Sequence, residues 1–430
     1  MINLKIPISF LLSTMLLSAI SLDRLVESGL ANSSLIKKSN LELELMSAKK
    51  DESRAKRFGE IDVVGSYTHY NMPRTLIPLT PDALTQSNSP IATTQDLFST
   101  GVQYSVSLFN GGALERDVDI SQIGEKMMIS KKRLSREELI YNIRSLYLSA
   151  LSLKDMIASQ KLYIKSLERV NRVIQKGVAL GKKARIELLK SQNSIESAKG
   201  QLSIMQSSLR MVKSNLSSIT HIDKIGKLEP LKRDISVKNI STKINDFDSL
   251  DRFKIKNLEI KKAEKRISKV EASKSPQVAL NSYFGYNYDV DSIDPVENEQ
   301  VWQVGLSAKW RLFDFGKTTA EVQQAKIAKL QAVTQKEEQG EMFKNLLAKA
   351  KYEIDKSFAN YQTNLSQLNL LKENQNIEEA RYNAGVSTIN DLLLAKAQTE
   401  MSKSKLIESR YKYQSGIYYF DYLLERGEGK

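Results

Sequence analysis

Leu108-Phe109-Asn110-Gly111-Gly112 and Leu312-Phe313-Asp314-Phe315-Gly316 are two versions of one phrase, and each opens a long run rich in helix-forming residues. Gly181 with Glu187-Leu188-Leu189 returns as Gly385 with Asp391-Leu392-Leu393. The offset is 204 residues at both ends, from Gly112 to Gly316 and from Gly181 to Gly385, so nothing is inserted or deleted between them. Within the run, apolar residues step four, three, four, three along Leu139, Ile143, Leu146, Ala150, Leu153, Ile157, Ile164 and Leu167, the spacing of a coiled-coil seam. The same offset carries the seam to Phe343, Leu347, Ala350, Ile354, Tyr361, Leu368 and Leu371, with Ser357 in the place of Leu153. The chain is an internal duplication, and its period organises every other reading.

Upstream of each phrase lies a second repeated block. Asn40-Leu41-Glu42-Leu43 recurs as Asn257-Leu258-Glu259-Ile260, an offset of 217, which aligns Ile61, Val63, Tyr67 and His69 with Val278, Leu280, Phe284 and Tyr286. Both sets alternate with period two, so a helix over 33–57 leads into a strand over 60–71, and the pair recurs. A second alternating run follows in each copy. Val102, Tyr104, Val106 and Leu108 oppose Gln103, Ser105 and Ser107, while Trp302, Val304, Leu306, Ala308, Trp310 and Leu312 oppose Gln303, Gly305, Ser307, Lys309 and Arg311. An apolar outside, a polar inside and aromatic residues near strand ends make the pattern of a lipid-facing barrel wall around an aqueous lumen. A soluble sheet packed on one face alternates in the same way. Trp302, Val304, Leu306 and Trp310 are the expected lipid-facing residues. The first hairpin loop, 72–100, holds Pro73, Pro78, Pro81 and Pro90 and is expected to be irregular and exposed.

The long helices are expected over 113–180 and 317–384, with return helices over 187–219 and 391–426, and a further helix over 246–273 after a linker from Pro230 to Asn245. A helix of this length reaches roughly 100 Å. The first and last short helices together match one long helix, as do the two in the middle, which implies rods capped by strands at one end and a helical turn at the other. The domain reading is a signal peptide over 1–21 with an alternative cut as late as 31, a first repeat over 22–219, a linker over 220–245 and a second repeat over 246–430. Four strands cannot close a membrane barrel, since the smallest use about eight. The chain must therefore associate, and two or three copies both satisfy the strand count.

Composition narrows the function. Lys5 followed by the apolar run Ile6 to Ile20 reads as an export signal. No later stretch is apolar enough to cross a bilayer as a helix, so any crossing is by strands. The sequence contains no cysteine, which excludes disulfides and an acylated N-terminal cysteine. The net charge of +14 is spread along helix faces with Asp and Glu between the cations, a solvated surface more than a polyanion site. Gly316-Lys317-Thr318 follows a strand and opens a helix, but Arg311 stands where a phosphate-binding loop needs glycine. Asp314-Phe315-Gly316 lacks the rest of a kinase site, and His69 and His221 are the only histidines. No catalytic residue, metal or cofactor is expected.

The signal peptide, the duplicated hairpin and long-helix units, the LFNGG and LFDFG phrases, and Tyr382-Asn383-Ala384-Gly385 followed by Asp391-Leu392-Leu393 together resemble the TolC family of outer-membrane efflux and secretion channels. The resemblance covers almost the whole chain beyond the signal. It implies an α+β membrane protein: a trimer whose twelve-stranded β-barrel continues as an α-helical coiled-coil tunnel through the periplasm. It also implies an exit duct for drugs or proteins, with a periplasmic adaptor (membrane fusion) protein and an inner-membrane pump of ABC or RND type as partners, and no nucleic acid. The family's tip carries apolar turns; here they read Leu180-Gly181-Lys182 and Ala384-Gly385-Val386, with Lys182 in an apolar place. The family's closed tip is tied by polar bonds, and the matching positions are Glu187, Tyr382 and Ser387, the last replacing an arginine, with Arg185 or Lys183 as substitutes. Asp391 would contribute an acidic ring, thinned because Leu394 stands where a second acid often follows. The competing reading is an exported coiled-coil scaffold without a pore.

Overall fold

The computed structural model describes residues 19–79, 81, 85, 91–231, 246–289 and 298–427. Most of the expected signal peptide, the tip of the first hairpin loop and most of the linker lie outside them. The elements run in the order α1 (Leu22–Asn32), α2 (Ser34–Ala55), β1 (Glu60–Thr75), β2 (Thr93–Phe109), α3 (Ala113–Ala179), α4 (Arg185–Thr220), α5 (Asp251–Glu271), β3 (Gln277–Asp289), β4 (Asn298–Lys309), α6 (Lys317–Asn383) and α7 (Ile389–Leu423). Both long helices contain 67 residues, as a duplication without insertion requires. No helix among the described residues is long and apolar enough to cross a membrane.

The chain forms two compact units, each drawn from both repeats. One comprises the described residues of Met1–Asn40, Lys132–Asp251 and Gln339–Lys430; the other comprises Leu41–Lys131 and Arg252–Glu338. In the first unit the seam residues Leu139, Ile143, Ala150, Ile157, Ile164 and Leu167 are buried, as are Phe343, Leu347, Ala350, Ile354 and Leu368. One cluster gathers Leu25, Leu139, Ile143, Tyr147, Leu151 and Leu216, and another gathers Leu167, Ile174, Ile195, Tyr382 and Leu392. Truncating one such leucine to alanine costs about 2.7 to 5 kcal/mol.

In the second unit the strands form one antiparallel sheet in the order β1-β2-β3-β4. Its register aligns side chains into rows of one polarity. Val63, Val102, Phe284 and Trp302 are successive neighbours on the apolar face, and all four are exposed. Ser66, Ser99, Asn287 and Glu299 form the matching row on the polar face, where the Ser99 hydroxyl donates to Asn287 Oδ1 at 2.7 Å. Gly101 and Gly285 oppose each other on that face because Tyr283 lies over them. A Cβ at Gly101 would fall 2.8 Å from the Tyr283 ring, and one at Gly285 would fall 2.5 Å from its hydroxyl.

Five expectations are corrected. First, α1 was not foreseen: Ser21 caps it by accepting from the Arg24 amide, and Leu25 is fully buried. Second, both strands of the first hairpin reach further into 72–100, to Thr75 and back to Thr93. Pro73 is tolerated because β1 is an edge strand and its register shifts between His69 and Arg74. Third, the helix expected over 246–273 is broken at Leu250, whose extended backbone (ψ 140°) separates a 3-10 turn from α5. Fourth, Trp310 lies one residue past β4, where its indole N–H donates to the Lys274 carbonyl at 3.1 Å. Fifth, the last helix ends at Leu423, short of 426, where Glu425 turns to a φ of 54°.

Candidate functional site

The two helical turns at the ends of α3 and α6 are built alike. Gly181 (φ 69°) and Gly385 (φ 78°) take the left-handed conformation that lets a helix stop with its last carbonyls bonded. The Lys182 amide donates to the Gly177 carbonyl and the Gly181 amide to Val178; one repeat later, Val386 donates to Arg381 and Gly385 to Tyr382. Leu180 and Val386 project from these turns, 70% and 69% exposed.

The turns set two polar clusters side by side. In the first, the Tyr382 hydroxyl donates to Glu187 Oε2 at 2.9 Å, across 195 residues of sequence. Lys183 reaches both, 3.6 Å from the Glu187 carboxylate and 4.0 Å above the Tyr382 ring centre. Burial raises the Tyr382 pKa; Lys183 pulls it back in part and the bond to Glu187 raises it again, so it stays above the ordinary value and the phenol remains a donor. Burial alone would lower Lys183, but its bonds to Tyr382 and Glu187 outweigh that and hold it raised. Among the described residues it is Lys183, not Arg185, that makes these contacts.

In the second cluster Ser387 turns away from Glu187. Its hydroxyl donates to Glu378 Oε2 at 2.7 Å, and Arg381 pairs with the same carboxylate at 2.7 Å. Asp391 forms a capping box: its carboxylate accepts from the Thr388 hydroxyl at 2.6 Å and the Thr388 amide at 3.0 Å, while Thr388 accepts from the Asp391 amide. The Thr388 hydroxyl bond, more than any other contact, lowers the Asp391 pKa.

Beneath Tyr382 lies a pocket of about 400 Å³ lined by Ser166, Arg169, Gln375, Glu379, Leu392 and Lys396, among others. Lys396 is only 3% exposed, and its ammonium donates to Glu379 at 2.8 Å and Ser166 at 3.2 Å, joining α7 to α6 and α3. The sequence reading missed it. A lysine beside the apolar residues Leu392, Leu393 and Ala395 was the signal available. On the sheet, Trp302, Val304 and Leu306 stand 71%, 65% and 70% exposed, and Trp310 is exposed just beyond the strand. The phosphate-loop lookalike is a helix cap: Asp314 accepts from the Thr318 amide at 2.9 Å and from the Gly316 amide at 3.1 Å.

Residues 25–220 and 254–416 match the outer membrane efflux protein family, and the chain belongs to that family. The fold is shared with solved structures at low identity. A membrane protein of Pseudomonas aeruginosa superposes with a TM-score of 0.79 at 16% identity, covering 94% of this chain and 90% of that one. The Campylobacter jejuni CmeC outer membrane channel gives 0.78 at 14% identity, covering 94% and 86%. The outer membrane protein VceC of Vibrio cholerae gives 0.73 at 15% identity, covering 95% and 96%. No curated protein sequence matches the chain. The protein is an efflux channel of the outer membrane, of the TolC type, in a family of transport proteins.

Proposed function

We propose that this chain is the exit duct of a tripartite efflux or type I secretion system, three copies closing a twelve-stranded barrel in the outer membrane above a helical tunnel in the periplasm. One observation carries the reading: an exposed apolar row crosses all four strands on one face, a polar row crosses the other, and β1 and β4 are sheet edges. Such a sheet is satisfied when its apolar face meets lipid and its edges meet further copies, leaving the polar face to water. Membership of the family supports three copies over two. Trp302, Val304, Leu306 and Trp310 then face lipid.

The turns at Gly181, Lys182 and Gly385 form the periplasmic tip, where an adaptor protein and an inner-membrane pump of ABC or RND type engage. Closure rests on Glu187, Tyr382 and Lys183, the lysine supplying the cation that Ser387 does not. Asp391 and Ser387 shape the start of α7 beside that tie. The cargo is drugs or exported proteins. Conductance of the purified protein in planar bilayers, with heat-resistant trimers in detergent, is the test. A soluble periplasmic chain without conductance would instead indicate a scaffold. Drug susceptibility and the secreted proteins of a deletion strain distinguish the cargoes.

A further inference from the structure

The two hairpins are one hairpin used twice, down to the register. Glu60 pairs with Ser105; adding the repeat offsets of 217 and 204 gives Gln277 and Lys309, which also pair. Between the hairpins lies a third seam, β2 against β3, with Ser107 opposite Ala279, Gln103 opposite Tyr283 and Val102 opposite Phe284. Moving β2 forward and β3 back by the same offsets turns that seam into one between β4 and β1. Those are the two sheet edges, so the moved seam joins two copies.

We infer that the β2–β3 seam is the template for the seam between subunits, with Arg311 opposite Asp62 of the partner subunit, Ser307 opposite Ser66 of the partner subunit, and Leu306 opposite Tyr67 of the partner subunit. This rests on the closed ring proposed above and adds its register and contacts.

Side-chain chemistry agrees at the named pairs. Arg311, two residues past β4, and Asp62, on the edge strand β1, are both exposed and carry opposite charges, where the internal seam has an uncharged pair. Leu306 and Tyr67, 70% and 61% exposed, both belong to the apolar face. At the junction of strand and helix, Gly111 sits so close to the β3 side that an added Cβ would lie 2.6 Å from the Ala272 carbonyl and 2.8 Å from Ser275. The offsets put Phe315 in the place of Gly111 and Phe58 in the place of Ser275. Phe315 keeps the left-handed backbone (φ 55°) although it is no glycine, and its side chain is 92% exposed. Phe58 is 75% exposed. A bulky residue in that conformation is costly, and so is an apolar ring left in water; contact between the two rings across the seam relieves the second cost.

The cysteine-free sequence makes the test direct. Ser66→Cys with Ser307→Cys, oxidised in intact outer membrane, should give a ladder of covalent oligomers on a denaturing gel. Ser66→Cys with Gln303→Cys, on the same face but four residues out of register, should not. Cross-linking of the second pair instead of the first overturns the register, as does a trimer by native mass that neither pair cross-links. A single-chain native mass overturns the ring itself. Independently, Phe315→Gly relieves the backbone yet should lower the temperature at which the oligomer dissociates, with helix content unchanged. Arg311→Asp should lower it too, and adding Asp62→Arg should restore it. A dissociation temperature that none of these changes moves would overturn the contacts.

Discussion

Lys183 lies over the face of Tyr382, its ammonium 4.0 Å from the ring centre, while the Tyr382 hydroxyl bonds to Glu187 on the other repeat. A cation over an aromatic ring gains about 0.5 to 2 kcal/mol, and a hydrogen bond to a charged group about 1.5 to 3 kcal/mol. Tyr382→Phe and Lys183→Met should therefore each raise single-channel conductance and vancomycin susceptibility, and Glu187→Ala, which removes both interactions of the carboxylate, should raise them most. Unchanged conductance in all three places the constriction elsewhere.

The same tie has a pH signature. Both Tyr382 and Lys183 titrate above their ordinary values of 10.0 and 10.5. For a group whose pKa is raised on folding, stabilisation is complete below the unfolded value and fades as pH climbs through the folded one. On that account these two groups hold the tie unchanged from neutral pH up to about pH 10, and open probability should climb beyond it. Recordings between pH 7 and 11 decide this; a rise already at pH 8 would contradict it.

Glu400 offers a stability counterpart. Burial raises its pKa, the nearby Ser159 hydroxyl and Lys403 charge opposing only in part. The sign follows the same rule: its folded form is favoured when protonated, so ionisation at neutral pH is a cost. Glu400→Gln should raise the melting temperature at pH 7 and lose that advantage near pH 4. An equal gain at both pH values would point to packing instead of charge.

Lys396 separates charge from stem. Methionine keeps the stem of Lys396 while removing its charge, and the Glu379 side chain left behind is 44% exposed and keeps its hydration, whereas a truncation leaves a hole costing about 2 to 5 kcal/mol. Lys396→Met should melt close to the parent and Lys396→Ala well below it. If the methionine variant falls as far, the bonds to Glu379 and Ser166 carry the stability.

On the sheet, Leu306→Arg should cost about 2 to 4 kcal/mol per copy at mid-bilayer depth, whereas Ser307→Asn on the polar face should be tolerated. Assembly yield in outer membranes measures both, and equal damage would mean that the two faces are wrongly assigned.

Legibility tracked locality. The seam from Leu139 to Leu167 and the strand phase from Trp302 to Leu306 are periodic in sequence, so burial and face follow from spacing alone. The turns at Gly181 and Gly385 carry the one residue type that adopts their φ cheaply. What escaped was whatever depends on a distant neighbour. Lys183 meets Tyr382, and Lys396 meets Ser166, through folding of the two repeats against each other; neither pairing has a local signature. Helix α1 escaped for another reason: its apolar residues follow directly on the apolar run Ile6 to Ile20 in sequence, and only the burial of Leu25 and Gly29 distinguishes them.

Ser99 and Asn287 share a hydrogen bond across 188 residues, and that distance sets the order in which the sheet can be made. Each hairpin is local and can close early. Joining β2 to β3 must wait until α3, α4 and α5 have been synthesised and folded back, and such long-range closure is slow. During that interval all four strands have at least one bare edge and an uncovered apolar face, the combination most prone to pairing with the wrong chain. Biogenesis of this protein is therefore limited by how long two finished hairpins can be kept apart from other hairpins, and it should depend on holding chaperones far more than the stability of the finished channel does.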